Sequence, residues 1–293
     1  MDKIKFLTDS ACDLPEELAR EYDIAVLPIP IAVDGVGYHE RVDFTAQEFY
    51  KILLDAKTIP VTSHITHIAF ADQYRAAFEQ GYTHVVVTTI NSKGSNMFEA
   101  ANMAKTLFYD DCPEASGKLE VVVIDSKTYT IPYGLAQVEA AKLARAGKPC
   151  TEVVEFLYDF FDRLEIYFGV YSLEFAKKSG RISCAAAFVG DVLGLRPILS
   201  IIDGEMKIVD KVRGDKNVVP RLVDFACRDR KGDSPYLCIR ALTDEVGEQA
   251  AALMEERTGQ KPVGLYYAGA CITINAGPRL AAVAVLGEKR TKK

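Results

Sequence analysis

The chain has 293 residues, room for about two domains, and with 49% apolar and 26% charged residues it has the composition of an ordinary globular protein with ample core. Its net charge of -6 argues against nucleic acid or an anionic membrane surface as the main partner, because neither polyanion is drawn to an acidic protein. Seven cysteines, an odd count with no C-x-x-C spacing, argue against a disulfide framework or a structural zinc site and suit a reducing compartment.

The first ten residues carry Asp2 and Asp9 around a short apolar stretch, which does not suit a signal peptide. No apolar run reaches the length of a membrane span. The expectation is a cytoplasmic protein without stable membrane insertion.

In chain order, residues 4–7 form an apolar run that ends in Thr8-Asp9-Ser10, with a helix expected over 15–22. Residues 24–33 read as extended, interrupted by Pro28 and Pro30 as an edge or bend would be. Thr45 and Glu48 form a capping box ahead of the amphipathic run Phe49, Ile52, Leu53. Helices are expected over 68–80, from Ser95 through Phe108, and from Thr130, with Pro132 just inside, to about Arg145. Between them, 85–90 and 119–124 are β-branched buried strands. Such strands alternating with helices imply a parallel sheet covered on both faces.

Gly147-Lys148-Pro149 breaks the pattern, and a helix over 151–164 leads into a second region. There 166–172 reads as a strand and 185–193 as a buried helix. The pair 198–202 and 206–212, joined by Asp203-Gly204, reads as a hairpin, since Asp-Gly supplies the positive φ angles of a tight turn. Helices near 216–230 and 244–258 separate strands near 236–241, 263–268 and 280–286. The expected architecture is an α/β protein: an N-terminal parallel-sheet α/β/α domain over 1–150 and a C-terminal α+β two-layer domain over 151–293.

Neither nucleotide fingerprint, G-x-G-x-x-G or G-x-x-x-x-G-K-[ST], is present, and there is no G-x-S-x-G elbow. His64 and His67 have a spacing that a helix could turn toward one metal ion, but no acidic or cysteine partner stands close in sequence. A loop running into a helix N-terminus is the better reading, and no metal or cofactor is expected. Asp9 and Asp125 could serve as an acid–base pair, yet an Asp-Ser at a strand end more often makes a turn or a cap.

Hydroxyl-rich segments remain: Thr8-Asp9-Ser10, Thr62-Ser63-His64, residues 88–96 and Asp125-Ser126. Several fall where parallel strands end, the edge that lines the ligand crevice in open α/β sheets. Ser95 reads as an N-cap, which would set the N–H groups of Asn96 and Met97 beside its hydroxyl. Hydroxyls and a helix N-terminus suit a carboxylate or phosphate; for any one segment, plain capping explains the residues equally well. With no nucleophile–base pair and no dense cation cluster, the edge suits binding better than turnover.

These motifs, in this order, resemble the DegV family, which includes the FakB subunits of bacterial fatty acid kinase. Thr8-Asp9-Ser10 with Asp13-Leu14-Pro15 resembles the family's T-D-S-x-x-D-L-P, Pro60-Val61-Thr62-Ser63 the start of its T-S-Q-P segment, and residues 91–96 its S-S-x-L-S-G-T. Residues 123–126 match V-I-D-S, Lys178-Ser179-Gly180-Arg181-Ile182 resembles K-G-G-R-I, Arg196-Pro197-Ile198-Leu199 resembles K-P-I-L, and Lys211-Val212-Arg213 resembles K-V-R. The resemblance implies a cytoplasmic, non-catalytic carrier of one long-chain fatty acid, with a fatty acid kinase as candidate partner. It places the carboxylate on Thr62 and Ser95, flanked by Ser63 and Ser92.

An acyl chain of ~16 carbons gains about 0.8 kcal/mol per buried CH₂, or more than ~10 kcal/mol before association costs, so no charge pair is needed for tight binding. Candidates for the acyl pocket are Ile90, Phe168, Phe188, Val189, Val192, Leu193 and Ile198; ordinary core residues would look the same. The chain departs from the family pattern at His64-Ile65, Gly94, Asn96-Met97 and Asn275. Asn275 stands where family members carry a histidine tied to the kinase step, and with Arg213 it is a candidate partner-interface position. The competing readings are an enzyme acting on a small carboxylated or phosphorylated substrate at the same crevice, and a ligand-free protein-interaction module.

Overall fold

The structure is a computed structural model that describes residues 2–171, 173–180, 194–241 and 244–290. Contacts divide the chain into two compact units, 1–30 with 62–161 and 31–61 with 162–293. This differs from a single cut at residue 150 in two respects. The helix over Cys150–Arg163 falls almost wholly in the first unit, and residues 31–61 fall in the second. The second difference has a visible cause. The buried Glu40 accepts a hydrogen bond from the Cys271 N–H (2.8 Å), and the Tyr50 hydroxyl donates to the Ala268 carbonyl (2.7 Å).

The first unit is built on four parallel strands in the order β2-β1-β6-β7: β1 (Ile4–Asp9), β2 (Ile24–Leu27), β6 (His84–Thr89) and β7 (Glu120–Asp125). The β-branched residues of β6 are buried as expected, Val85, Val86 and Val87 each at most 1% exposed, whereas Val122 and Val123 of β7 and Val26 of β2 are half-buried. Helices α1 (Glu16–Glu21), α3 (His67–Glu79), α4 (Met97–Asp111), α5 (Ile131–Arg145) and α6 (Cys150–Arg163) complete the unit. The order reverses between β1 and β6, so the crevice at a topological switch point lies beyond the carboxyl ends of those two strands.

The second unit holds a six-stranded sheet in the order β10-β9-β8-β13-β11-β12. Its strands are β8 (Leu164–Val170), β9 (Leu195–Ile202), β10 (Glu205–Arg213), β11 (Tyr236–Arg240), β12 (Leu265–Tyr267) and β13 (Leu280–Leu286). All pairings are antiparallel except β11 with β12. The β9–β10 hairpin turns at Asp203 and Gly204, both with positive φ (53° and 76°), the backbone that a two-residue turn of this hand demands. Helices α8 (Val218–Asp229) and α9 (Asp244–Thr258) cover one face, where Val218, Leu222, Phe225 and Met254 pack on Tyr167, Ile198, Cys238 and Val283. This is the expected two-layer α+β arrangement. The unit also contains α7 (Leu173–Ser179) and α10 (Ala270–Ala276).

Helix α2 (Ala46–Asp55) opens with the expected capping box, Thr45 accepting from the Glu48 N–H and Glu48 accepting from the Thr45 N–H. A small sheet joins β3 (Pro30–Val33), β4 (Val36–His39) and β5 (Val61–Thr62); of these β4 is the strand that the sequence pattern does not signal. The expected helix over 185–193 lies outside the described residues.

Candidate functional site

The switch point is not an open acid–base site. Asp9, fully buried, accepts from the Ala11 N–H (3.2 Å), the Ile90 N–H (2.8 Å) and the Tyr133 hydroxyl (2.7 Å). It thereby caps the short 3₁₀ turn Ser10–Cys12 and ties the end of β1 to the end of β6. Burial, reinforced by the Asp9 charge, pushes the Tyr133 phenol far above its ordinary pKa, so it serves as a neutral donor. The Ser10 hydroxyl accepts from the Ile29 N–H (2.9 Å), and the Thr8 hydroxyl donates to the Thr88 carbonyl (2.8 Å). Asp125 is occupied elsewhere, accepting from the Ser92 N–H (3.0 Å), the Ser92 hydroxyl (2.5 Å) and the Lys127 N–H (2.9 Å). Both carboxylates follow the turn-and-cap reading.

The loop after β6 is different. Asn91, fully buried, receives the Gly94 and Ser95 N–H groups on its carbonyl (3.0 and 3.1 Å) and donates its own N–H to the Thr128 carbonyl. This turn carries the chain one residue further than a Ser95 cap requires. The N-cap of α4 is therefore Asn96, which makes no side-chain capping bond, and the expectation of Ser95 as cap is corrected to the residue that follows it. The N–H groups of the first turn of α4 have no partner within the helix, and no side-chain cap substitutes. Ser95 is half-buried.

Thr62 is also half-buried and Ser63 is exposed, and the segment that follows them reaches the same helix end. The Ser63 N–H donates to the Pro30 carbonyl (2.9 Å). Three residues after Thr62, the Ile65 N–H points at the sulfur of Met97, the first residue of α4 (3.3 Å). No hydrogen bond from the Thr62 or Ser95 hydroxyl is found among the described residues. His64 precedes Thr66, the N-cap of α3, while His67 begins that helix, so the two rings do not share a helical face. Among the described residues no cluster of metal-ligating side chains occurs.

The apolar candidates separate. Ile90 is buried beside the Asp9 carboxylate that binds its N–H. Ile198 belongs to the core beneath α8 and α9, which accounts for its burial as ordinary packing. Phe168 is in register with Leu199 and Ala282, one residue along β8 from Tyr167, and so lies on the opposite face of that sheet. Phe188, Val189, Val192 and Leu193 lie outside the described residues. Arg213 is exposed; the Asn275 amide donates to the Cys271 carbonyl one turn earlier in α10 (2.6 Å). Sequence reasoning did not single out Asn91 or Tyr129, whose amide and hydroxyl meet at 2.8 Å. It also missed Asp215, which accepts from Arg196 (2.8 Å) and Arg279 (2.6 Å); these partners are remote in sequence, and only the residue types were visible.

The fold is that of a two-unit α/β protein whose first unit is built on an open parallel sheet. Residues 3–288 match the family model described as "Uncharacterised protein, DegV family", and the chain belongs to that family. A DegV domain-containing protein of Caldanaerobacter subterraneus subsp. tengcongensis is 32% identical over 225 residues, 77% of each chain. Among solved structures, a stearic-acid-binding protein from Eubacterium ventriosum superposes with a TM-score of 0.87 at 26% identity, covering 98% of both chains. A DegV family protein from Thermus thermophilus, described by its fatty acid binding, gives 0.83 at 27% identity over 98% of this chain and 100% of its own. No helix among the described residues is long and apolar enough to cross a membrane.

Proposed function

We propose that this protein binds a single long-chain fatty acid and acts as its carrier, without catalysing a reaction on it. The observation that carries the reading is the uncapped N-terminus of α4, with the half-buried Ser95 directly ahead of its N-cap and the segment of the half-buried Thr62 meeting the helix through the Ile65 N–H and the Met97 sulfur. Two hydroxyl donors and a positive helix end match the two oxygens and single charge of a carboxylate. Ser63 flanks the pair, and Ser92 contributes by fixing the loop to Asp125. The acyl chain is held by apolar contact, with Ile90 the described candidate in the unit that carries the two hydroxyls. The fatty acids bound by the structural relatives support the same ligand class. The absence of an Asp9–Asp125 pair disfavours the enzyme reading.

The test is to strip lipid from the purified protein, add oleate and record native mass spectra. One fatty acid per chain is expected. Only the unliganded mass, with no uptake of oleate or palmitate, overturns the proposal.

A kinase step is a second, finer part of the reading. Asn275 offers a donor and an acceptor but cannot take up a proton near neutral pH as histidine can, and its amide is already turned to the Cys271 carbonyl. The protein is therefore proposed to bind fatty acid while presenting it poorly to a generic fatty acid kinase, with Arg213 and Asn275 at the contact.

A further inference from the structure

Gly94 immediately precedes Ser95, and a methyl group there would meet the Tyr129 side chain first. A Cβ built on Gly94 would overlap the Tyr129 hydroxyl and stand 3.1 Å from two further atoms of the phenol. The Tyr129 ring thus fills the space that a side chain at position 94 would occupy. It is held there from both ends. The Asn91 amide nitrogen donates to the Tyr129 oxygen (2.8 Å), and the same Asn91 carbonyl receives the Gly94 and Ser95 N–H groups. On the other side stands Thr130, with φ 59° and ψ -159°, a backbone region populated essentially by glycine and adopted by a β-branched residue only under constraint.

The constraint is identifiable. The Thr130 hydroxyl, on a buried residue, does not cap α5 but donates to Asp13 (2.6 Å). Asp13 itself has a left-handed backbone (φ 49°). Backbone strain of this kind persists where the surroundings over-determine the conformation. What this strain fixes is the direction in which the chain delivers the residue next to Thr130, which is Tyr129.

We propose that Tyr129 is the specificity-determining residue of the head-group end, where its phenol, planted on Gly94, admits a bare carboxylate and excludes an esterified or otherwise enlarged head group. The inference rests on the proposed fatty-acid reading of Thr62 and Ser95. A carboxylate presents two compact oxygens to donors, whereas an ester adds a group on one of them that needs the volume Tyr129 takes. Gly94 and Tyr129 are then a matched pair: a side chain at 94 displaces the phenol, and removal of the phenol opens the pocket.

The experiment uses the full-length, lipid-stripped protein, with oleate and methyl oleate as probes, and reads the ratio of their dissociation constants. Wild type is expected to favour oleate strongly. Tyr129→Ala should lower that ratio about tenfold, mainly by tighter binding of methyl oleate, because the added room does nothing for the ester's missing charge. Tyr129→Phe, which keeps the ring, should retain most of the discrimination. Gly94→Ala should weaken oleate binding in the wild-type background and do so far less in the Tyr129→Ala background, a non-additivity that general destabilisation would not produce. If wild type binds oleate and Tyr129→Ala keeps the wild-type ratio, the assignment of Tyr129 is overturned while the fatty-acid reading stands. If wild type takes up no oleate, both fall together.

Discussion

Two clusters of the first unit use the same residue types to opposite ends. At Thr8-Asp9-Ser10 the polar side chains are buried and bonded inward, to Ala11, Ile90, Tyr133, Ile29 and Thr88. Thr62 and Ser95 are half-buried, neither hydroxyl makes a hydrogen bond among the described residues, and Ser95 directly precedes the N-cap of a helix whose first N–H groups no side chain caps. The first arrangement contributes to stability, because a polar group withdrawn from water must find its partners in the protein. The second leaves hydrogen-bonding capacity for a ligand. Motif identity alone does not separate them; the partners do.

The largest effect should come from Asp9→Ala. It strips three donors of their buried acceptor, and we expect a loss of ~3–5 kcal/mol of stability, read as a lower urea midpoint. The contrast breaks if this variant keeps its stability and loses only fatty-acid affinity, for Asp9 would then belong to the ligand.

Replacing Thr62 and Ser95 together by Ala should do the reverse. Hydrogen bonds to a charged group are worth about 1.5–3 kcal/mol each, so oleate affinity should fall well over tenfold, with the urea midpoint close to wild type. Unchanged affinity would place the carboxylate elsewhere, and a cooperative loss of structure would mean that the hydroxyls serve the fold.

How much of this was legible in the sequence follows from the range of the interactions. The Thr45–Glu48 capping box and the Asp203-Gly204 hairpin are written within a few residues, so they can be read locally. The β-branched runs of β6 and β7 announce a buried parallel sheet for the same reason. The grouping of residues 31–61 with the second unit depends on Glu40 meeting Cys271 and Tyr50 meeting Ala268, and no local pattern encodes such pairs. At the site, Thr62 and Ser95 were visible as hydroxyls in a family pattern. The Asn91–Tyr129 bond and the contact of Tyr129 with Gly94 were not, since the partners stand on different loops. The Ser95 cap was misplaced by one residue because the Asn91 carbonyl, not a side chain, sets the turn.

A smaller effect is expected at Asn275. Asn275→His restores a group that can donate, accept or carry a proton. In a reconstituted assay with a fatty acid kinase, it should raise the rate of acyl-phosphate formation several-fold, while oleate affinity changes by less than about twofold. Wild type supporting the reaction as well as a histidine-bearing family member would sink the idea of poor presentation.

The smallest effect sharpens the contrast by adding a third kind of polar cluster, bonded but only half-buried. Asp215 accepts from Arg196 and Arg279, and Arg279 also lies over the Tyr171 ring, 4.1 Å from its centroid. Partial burial alone would raise the Asp215 pKa, but the bonds and charges of the two guanidinium groups outweigh it and hold the carboxyl below its ordinary value. A carboxylate with a depressed folded-state pKa contributes stability that is present above the unfolded pKa and lost as pH falls through the folded value. The Asp215 side chain is 38% exposed, so solvent screening limits that contribution to less than ~1 kcal/mol. Thermal melts of wild type and Asp215→Asn should therefore differ slightly at pH 7, and the difference should shrink as pH is lowered from 5 toward 3, or as salt is raised. A loss as large as that of Asp9→Ala would show that exposure does not set the strength of these clusters; burial would then no longer explain why the Thr8-Asp9-Ser10 side chains are bonded inward while the Thr62 and Ser95 hydroxyls are not.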